Sequence, residues 1–412
     1  MRQARHPVLA RAADLGGRAA PHVALAVAAA LGAWLFGVGV ADQGRRLYLE
    51  LTQGLGFTDP ACTTGYCDYA MFWLAGFLVR HGAAGVLYEP ARYAAAAAAI
   101  LPYKTGYWPF VYPPTMLLPA RVISWMPLVA GYYAFCLAAT GAAVLLLRRA
   151  GVAGWCILVG LCGPAAMWNL YLGQFGLLCG ALLVAGLAGL QTRPLRSGGA
   201  LALLSVKPQY ALLVPVVVLA GRHWRALATG VVVLALALGL SVMGGGALAW
   251  AGYFGPGREA MAALLGHKFG GYQVMGDSVF WMARSLGAAF GTALAAQLAM
   301  ACLAALWAWR LWRQSVAEPM RRLIITVFLS LLASPYGFTD DLAVCSVLLP
   351  MLARANAPWR NAALAWLWLA PALIPRFVAM FGFLPTPLLL LAALCLAQQK
   401  QPLLTEQIGQ RA

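Results

Sequence analysis

Charge is scarce in this sequence. Asp, Glu, Lys and Arg make up 10% of its 412 residues, where a soluble domain carries about 25%. Acid is scarcest, with twelve Asp and Glu in all, and lysine numbers only four. A water-soluble enzyme and a disordered chain are both excluded, since each needs far more polar surface. Site-forming spacings are missing too. No Cys or His cluster has the spacing of a zinc or iron–sulfur site, and no Walker or dinucleotide glycine pattern occurs. What is present is apolar: 62% of the residues are hydrophobic, in long runs separated by short Arg-containing breaks. The chain reads as an all-α, polytopic transmembrane helix bundle.

A net charge of +17 suggests nucleic acid in a soluble chain. Here the basic residues sit mainly in the breaks between apolar runs, as the positive-inside rule requires. No basic stripe interleaved with aromatics exists, so nucleic acid is excluded as a partner and the bilayer is the expected one. Seven of the nine cysteines fall inside apolar runs and read as small core residues. Cys62 and Cys67 stand apart in a polar segment, flanking Thr63-Thr64-Gly65-Tyr66. They are either a disulfide closing that turn on an oxidising side of the membrane or two free thiols.

A crossing needs about 20 apolar residues. Arg2, Arg5, Arg11 and Arg18 precede the first candidate, 22–41, as in a retained signal anchor. Residues 1–21 are then a cytoplasmic basic N-terminus, and 22–398 a single transmembrane domain. Residues 42–126 form a first extracytoplasmic loop with juxtamembrane helices, and 399–412 a cytoplasmic tail. Within the loop, 69–80 is an amphipathic stretch suited to the interface through Phe72, Trp73, Phe77 and Leu78. The piece 113–125 is too short to cross and reads as juxtamembrane or re-entrant. Further crossings are expected near 127–147, 152–168, 174–191, 226–243, 285–309, 322–335, 341–353, 360–374 and 382–398. An outer turn is expected at 168–174 and an outer loop at 244–284. Between Arg196 and Arg222, two short apolar pieces flank Lys207-Pro208-Gln209, a broken hairpin that only protein or a wet cavity can satisfy. The total is ten to twelve spans.

With so few acids, each one near the membrane carries information. Asp68 directly precedes the interfacial stretch and is either a helix cap or a general base toward a lipid-borne substrate. Asp340 and Asp341, at another outer turn, either cap the next span or hold a cation. Lys207 interrupts a membrane hairpin, so it either snorkels or meets a phosphate or an outer acid. Asn169 and Gln174 are helix-turn residues or line a polar cavity. Tyr112-Pro113-Pro114 stops and restarts a helix. His267 and Lys268 belong to a solvated loop or meet a phosphate.

The order of these motifs is more specific than any one of them. Asp68-Tyr69, Phe72-Trp73-Leu74-Ala75-Gly76, Gly82 and Leu87-Tyr88-Glu89-Pro90 are followed by Tyr112-Pro113-Pro114, Gly173-Gln174, Lys207-Pro208-Gln209 and Ser334-Pro335-Tyr336. This string, from about residue 20 to about 350, resembles glycosyltransferase family 87, the DUF2029 group of GT-C membrane glycosyltransferases. That group includes polyprenol-phosphate-mannose-dependent mannosyltransferases. The resemblance implies a GT-C fold with a large first extracytoplasmic loop. It also implies transfer of a hexose, mannose above all, from a polyprenyl-phosphate sugar to a glycolipid or glycan acceptor with inversion. The setting it implies is a bacterial inner membrane with the site on the extracytoplasmic face.

The family's catalytic acid matches Asp68, and Lys207, in the family-like Lys-Pro-Gln string, is favoured over Arg80 and Lys268 as the cation for the departing phosphate. Tyr112, Asn169, Gln174, Gln209, Tyr336 and Asp340 complete the expected substrate-binding set. Two departures stand out. Tyr336 stands where relatives often carry His after Ser-Pro, and Thr339-Asp340 replaces a Tyr-Asp pair. Glu89 replaces an Asp and keeps its charge. No metal ligands are assigned, although some relatives of this fold use a divalent ion. The rival function is a transporter or flippase of lipid-linked sugars. Such proteins tend to break helices in both halves, whereas one broken hairpin is visible here.

Overall fold

A computed structural model describes residues 7–54, 67–101, 110–314 and 318–399. Its helices, in chain order, are α1 (Pro7–Gln53), α2 (Cys67–Arg80), α3 (Pro90–Ile100), α4 (Leu117–Ile123), α5 (Leu128–Arg149), α6 (Gly154–Leu161), α7 (Pro164–Leu172), α8 (Gly176–Ala188) and α9 (Pro194–Ala202). There follow α10 (Val214–Ala220), α11 (Trp224–Gly252), α12 (Arg258–Gly266), α13 (Val279–Ser285), α14 (Phe290–Arg313), α15 (Pro319–Ala333), α16 (Ala343–Leu348), α17 (Pro358–Phe381) and α18 (Thr386–Gln398). The described residues contain no β-strand, only an isolated bridge between Gly276 and Phe338. The protein is a polytopic all-α membrane protein.

Among the described residues, five helices are long and apolar enough to cross a bilayer: α1, α5, the run from α11 through α12, α14 and α17. The pair α6 and α7, bent by 62°, makes a sixth if counted as one span. The sequence reading of ten to twelve crossings thus meets a different construction. Several expected spans are short helices packed inside the protein. Eleven consecutive residues of α15, Leu323 to Ala333, are buried, and α8 is nearly as enclosed. A helix surrounded by protein is apolar all round, as a lipid-facing one is, so composition alone does not separate them. Length does: at 1.5 Å per residue, the 13 residues of α8 reach only ~20 Å.

Other boundaries moved as well. The outer turn expected at 168–174 is helical through Leu172, and the outer loop expected from 244 begins inside a helix that runs to Gly252. Of the glycines at 244–246, only Gly246 leaves helical geometry, at φ 76° and ψ 165°. The stretch 69–80 is helical as expected but is not laid bare on an interface. Tyr69, Phe72 and Leu74 are fully enclosed. The reason is Gly76, which meets the backbone carbonyl of Ala120 so closely that any side chain would collide with it. That contact seats α2 directly against α4, the short piece expected after Pro113-Pro114. Trp73 adds a bond from its indole N–H to the Met126 carbonyl at 2.8 Å.

Three breaks converge beside α2. The first is the turn between α7 and α8, where Gly173 ends the helix in the left-handed conformation at φ 66°. The second is the hairpin between α9 and α10, where the tight turns Leu203–Val206 and Pro208–Ala211 meet at Lys207. Thr115 steadies this break by donating to the Ser205 carbonyl at 2.8 Å. The third is the turn Thr339–Leu342, between α15 and α16.

Candidate active site

Asp68 is the second residue of α2, where the positive end of the helix dipole favours a carboxylate. Its Oδ2 accepts from Gln174 Nε2 at 2.8 Å, across 106 residues of chain. Among the described residues its Oδ1 has no partner, and Asp68 lines a cavity of about 630 Å³. Burial pushes the Asp68 carboxyl up from 3.8 to about 6. The Gln174 hydrogen bond and the Lys207 charge act against that rise, while Asp340 and Asp341 add to it.

Lys207 does not snorkel. Only 3% exposed, its ammonium donates to Asp340 Oδ2 at 3.0 Å and to Asp341 Oδ1, and lies 3.5 Å from Gln174 Oε1. A buried ammonium costs several kcal/mol unless it is paired, so the break that frees the Lys207 backbone and the turn that carries the two acids depend on each other. Asp341 also serves as a cap, accepting from the Phe338 N–H at Oδ2. Tyr210, which the sequence reading passed over, places its hydroxyl 3.1 Å from Asp341 Oδ1. Tyr112 lies 2.9 Å from Gln174 Nε2 through its own hydroxyl, and its carbonyl accepts from the Tyr88 hydroxyl at 2.7 Å.

The polar side chains that line the cavity include Asp68, Tyr112, Gln174, Lys207, Gln209, Tyr336, Asp340 and Asp341. Its remaining wall is apolar and aromatic, including Met71, Phe72, Phe110, Trp168, Leu172, Leu264, Val274, Met275 and Phe338. The residues expected from sequence divide accordingly. Asn169 is buried but turned away, accepting from the Leu177 N–H at 3.2 Å at the start of α8. Arg80 lies at the other end of α2, twelve residues and so ~18 Å from Asp68. Its guanidinium stacks 3.9 Å from the Trp125 ring centre and donates to the Ser124 carbonyl. Lys268 and His267 are exposed and do not line the cavity. Glu89 pairs with Arg92 at 3.0 Å on the surface. Cys62 and the Cys67 side chain, and with them the disulfide, lie outside the described residues.

Among the described residues, no three His, Cys, Asp or Glu side chains come together as metal ligands. The space between Asp340 and Asp341, where a cation would sit, is taken by the Lys207 ammonium. Asp340 and Asp341 are thus committed to Lys207 and, among the described residues, form no open metal site.

One acid escaped the sequence reading. Asp277, fully buried, tucks under Gly337, and among the described residues neither of its carboxylate oxygens has a hydrogen-bond partner. Burial, with the neighbouring charges of Asp341 and Asp340 adding to it, pushes its carboxyl well above the usual range. Asp277 backs the turn that carries Asp340 and Asp341 without lining the cavity. Its one sequence signal was being one of twelve acids.

The three breaks that meet at this cavity all fall in or beside one stretch of chain. Residues 110–335 match glycosyltransferase family 87. The chain belongs to that family. This family-87 stretch contains Tyr112, Gln174, Lys207 and Gln209, while Asp68 precedes it and Tyr336, Asp340 and Asp341 follow it. Searches of curated proteins and of solved structures returned no match. The family makes the protein a membrane-embedded glycosyltransferase.

Proposed function

We propose that this glycosyltransferase moves a hexose, mannose in the simplest case, from a polyprenyl-phosphate donor to a glycolipid or glycan acceptor. We place the reaction on the extracytoplasmic face of a bacterial inner membrane, with inversion at the anomeric carbon. The observation that carries the proposal is a cavity lined by both polar and apolar side chains, with an Asp68 oxygen that has no partner among the described residues and an apolar wall suited to a prenyl chain.

In this scheme the acceptor hydroxyl attacks the anomeric carbon as the bond from that carbon to the phosphate oxygen breaks. The hydroxyl proton passes to Asp68, and the bonding pair leaves with the phosphate. A base with an affinity near neutrality suits this task, since it is ionised at working pH and still a useful proton acceptor. The leaving phosphate gains charge as the bond breaks, and Lys207 is the cation lining the cavity. Its ammonium is already held by Asp340 and Asp341, a cluster with no net positive charge, so Lys207 serves the phosphate by turning a donor from a carboxylate to a phosphate oxygen. The hydroxyls of Tyr112 and Tyr336 are among the neutral donors that line the cavity and could meet the phosphate oxygens.

The test uses protein in nanodiscs with radiolabelled polyprenyl-phosphate mannose and a total membrane-lipid extract. Release of polyprenyl phosphate with label in the lipid fraction, lost in a folded Asp68→Asn variant, is the expected result. Hydrolysis without transfer, or undiminished transfer by Asp68→Asn, sinks the mechanism.

A further inference from the structure

Gln174 has a side-chain amide whose orientation is settled by its neighbours. A lysine ammonium only donates hydrogen bonds, so the Gln174 atom facing Lys207 Nζ at 3.5 Å is the oxygen. An ionised carboxylate only accepts, so the atom facing Asp68 Oδ2 at 2.8 Å is the nitrogen. Both contacts demand the same rotamer, and the amide cannot flip without facing ammonium with N–H₂ and carboxylate with C=O at once. The backbone is held as firmly. Gly173 turns the chain at φ 66°, and the Gln174 N–H donates to the Asn169 carbonyl at 2.8 Å.

From this arrangement we infer that Gln174 is the positioning residue of the base: it turns one oxygen of Asp68 inward and leaves the other for the substrate hydroxyl. The inference rests on Asp68 being the base. Gln174 also transmits the pairing of Lys207 with Asp340 and Asp341 to α2, so three chain breaks set the angle of one carboxylate. The charged and titratable groups around Asp68 are Lys207 in the hairpin break and Asp340 and Asp341 in the turn after α15. Tyr112 before α4 and Tyr336 after α15 complete them. A neutral donor among these groups favours the ionised carboxylate, so its removal raises the proton affinity of Asp68.

The experiment follows kcat/KM against pH for wild type, Gln174→Met, Gln174→Glu and Asp68→Asn, with polyprenyl-phosphate mannose and membrane-lipid extract, on protein checked as monodisperse. Gln174→Met should move the acid limb upward by about one pH unit, with activity recovering on the alkaline side. Gln174→Glu keeps an oxygen for Lys207 but sets a carboxylate against Asp68. It should move the limb at least as far, and it serves if the Met variant does not fold. A limb left in place, with activity reduced by one factor at every pH, overturns the positioning role. So does a change confined to KM, which would make Gln174 a substrate ligand. If Asp68→Asn is inactive beside an unmoved limb, the positioning role falls alone. If Asp68→Asn remains active, the base assignment falls and the positioning role falls with it.

Discussion

The Cβ that Gly173 lacks would lie 2.5 Å from the Cβ of Tyr69. Two helices that are far apart in sequence, α2 and α7, thus touch through a missing side chain, one residue from Gln174 and one residue from Asp68. The same glycine has a φ of 66°, which side chains rarely adopt. Gly173→Ala should therefore cost stability through both strain and collision, about 1–3 kcal/mol. It should also lower turnover by pushing Gln174 off Asp68. Thermal unfolding in detergent and turnover at one pH check both effects, and an unchanged Tm would refute the packing account.

The acid limb of wild-type activity follows from the Asp68 affinity. The base works ionised, so turnover is low below its pKa and rises through it to a plateau as pH increases. Held up at about 6 by burial instead of the ordinary 3.8, Asp68 should place the midpoint of the limb near pH 6. Asp68→Asn should lose about 100- to 10,000-fold in turnover. A limb centred near the ordinary carboxylate value would show that the carboxyl is solvated during catalysis.

Lys207→Met leaves Asp340 and Asp341 buried without their ammonium. Breaking a buried pair by removing one partner costs about 3–5 kcal/mol, so this variant should show a markedly lower Tm. Adding Asp341→Leu to Lys207→Met should restore part of the loss, because one stranded charge disappears with it. Activity should remain absent in both. Losses that simply add in the double variant would mean that the two groups do not interact.

Arg80→Ala should behave differently. Its guanidinium stacks on Trp125 and caps the Ser124 carbonyl, about one helix length from the cavity. The variant should lose at most about 1 kcal/mol of stability and leave KM for the donor unchanged. A raised KM would return Arg80 to the phosphate.

Several residues that line the cavity were easier to single out in the sequence than the architecture that gathers them. Asp68, Gln174 and Lys207 were legible because a membrane chain with so few acids and lysines places them where burial is costly. Their mutual contacts were not legible, since Gln174 lies 106 residues from Asp68 and Lys207 lies 133 residues from Asp340. Arg80, in contrast, carried a charge and sat on the right helix, yet its position at the far end of α2 became visible only in the fold. Crossings expected at α8, α15 and α16 fall on short helices enclosed by protein, and burial in protein and burial in lipid select the same apolar residues. Asp277 stayed hidden because it sits in no motif, and its significance comes wholly from the loop folded over it.

The distance along the chain between Lys207 and its two acids also orders the birth of the protein. When the ribosome has delivered the broken hairpin to the membrane, the counter-charges of the lysine do not yet exist. At about 5–20 residues per second, the 133 residues to Asp340 take on the order of ten seconds to make. Through that interval the lysine head must stay in contact with water or lipid headgroups. The hairpin is therefore expected to settle to its final depth only after the turn following α15 has emerged, and the cavity cannot close before Asp340 and Asp341 have been made.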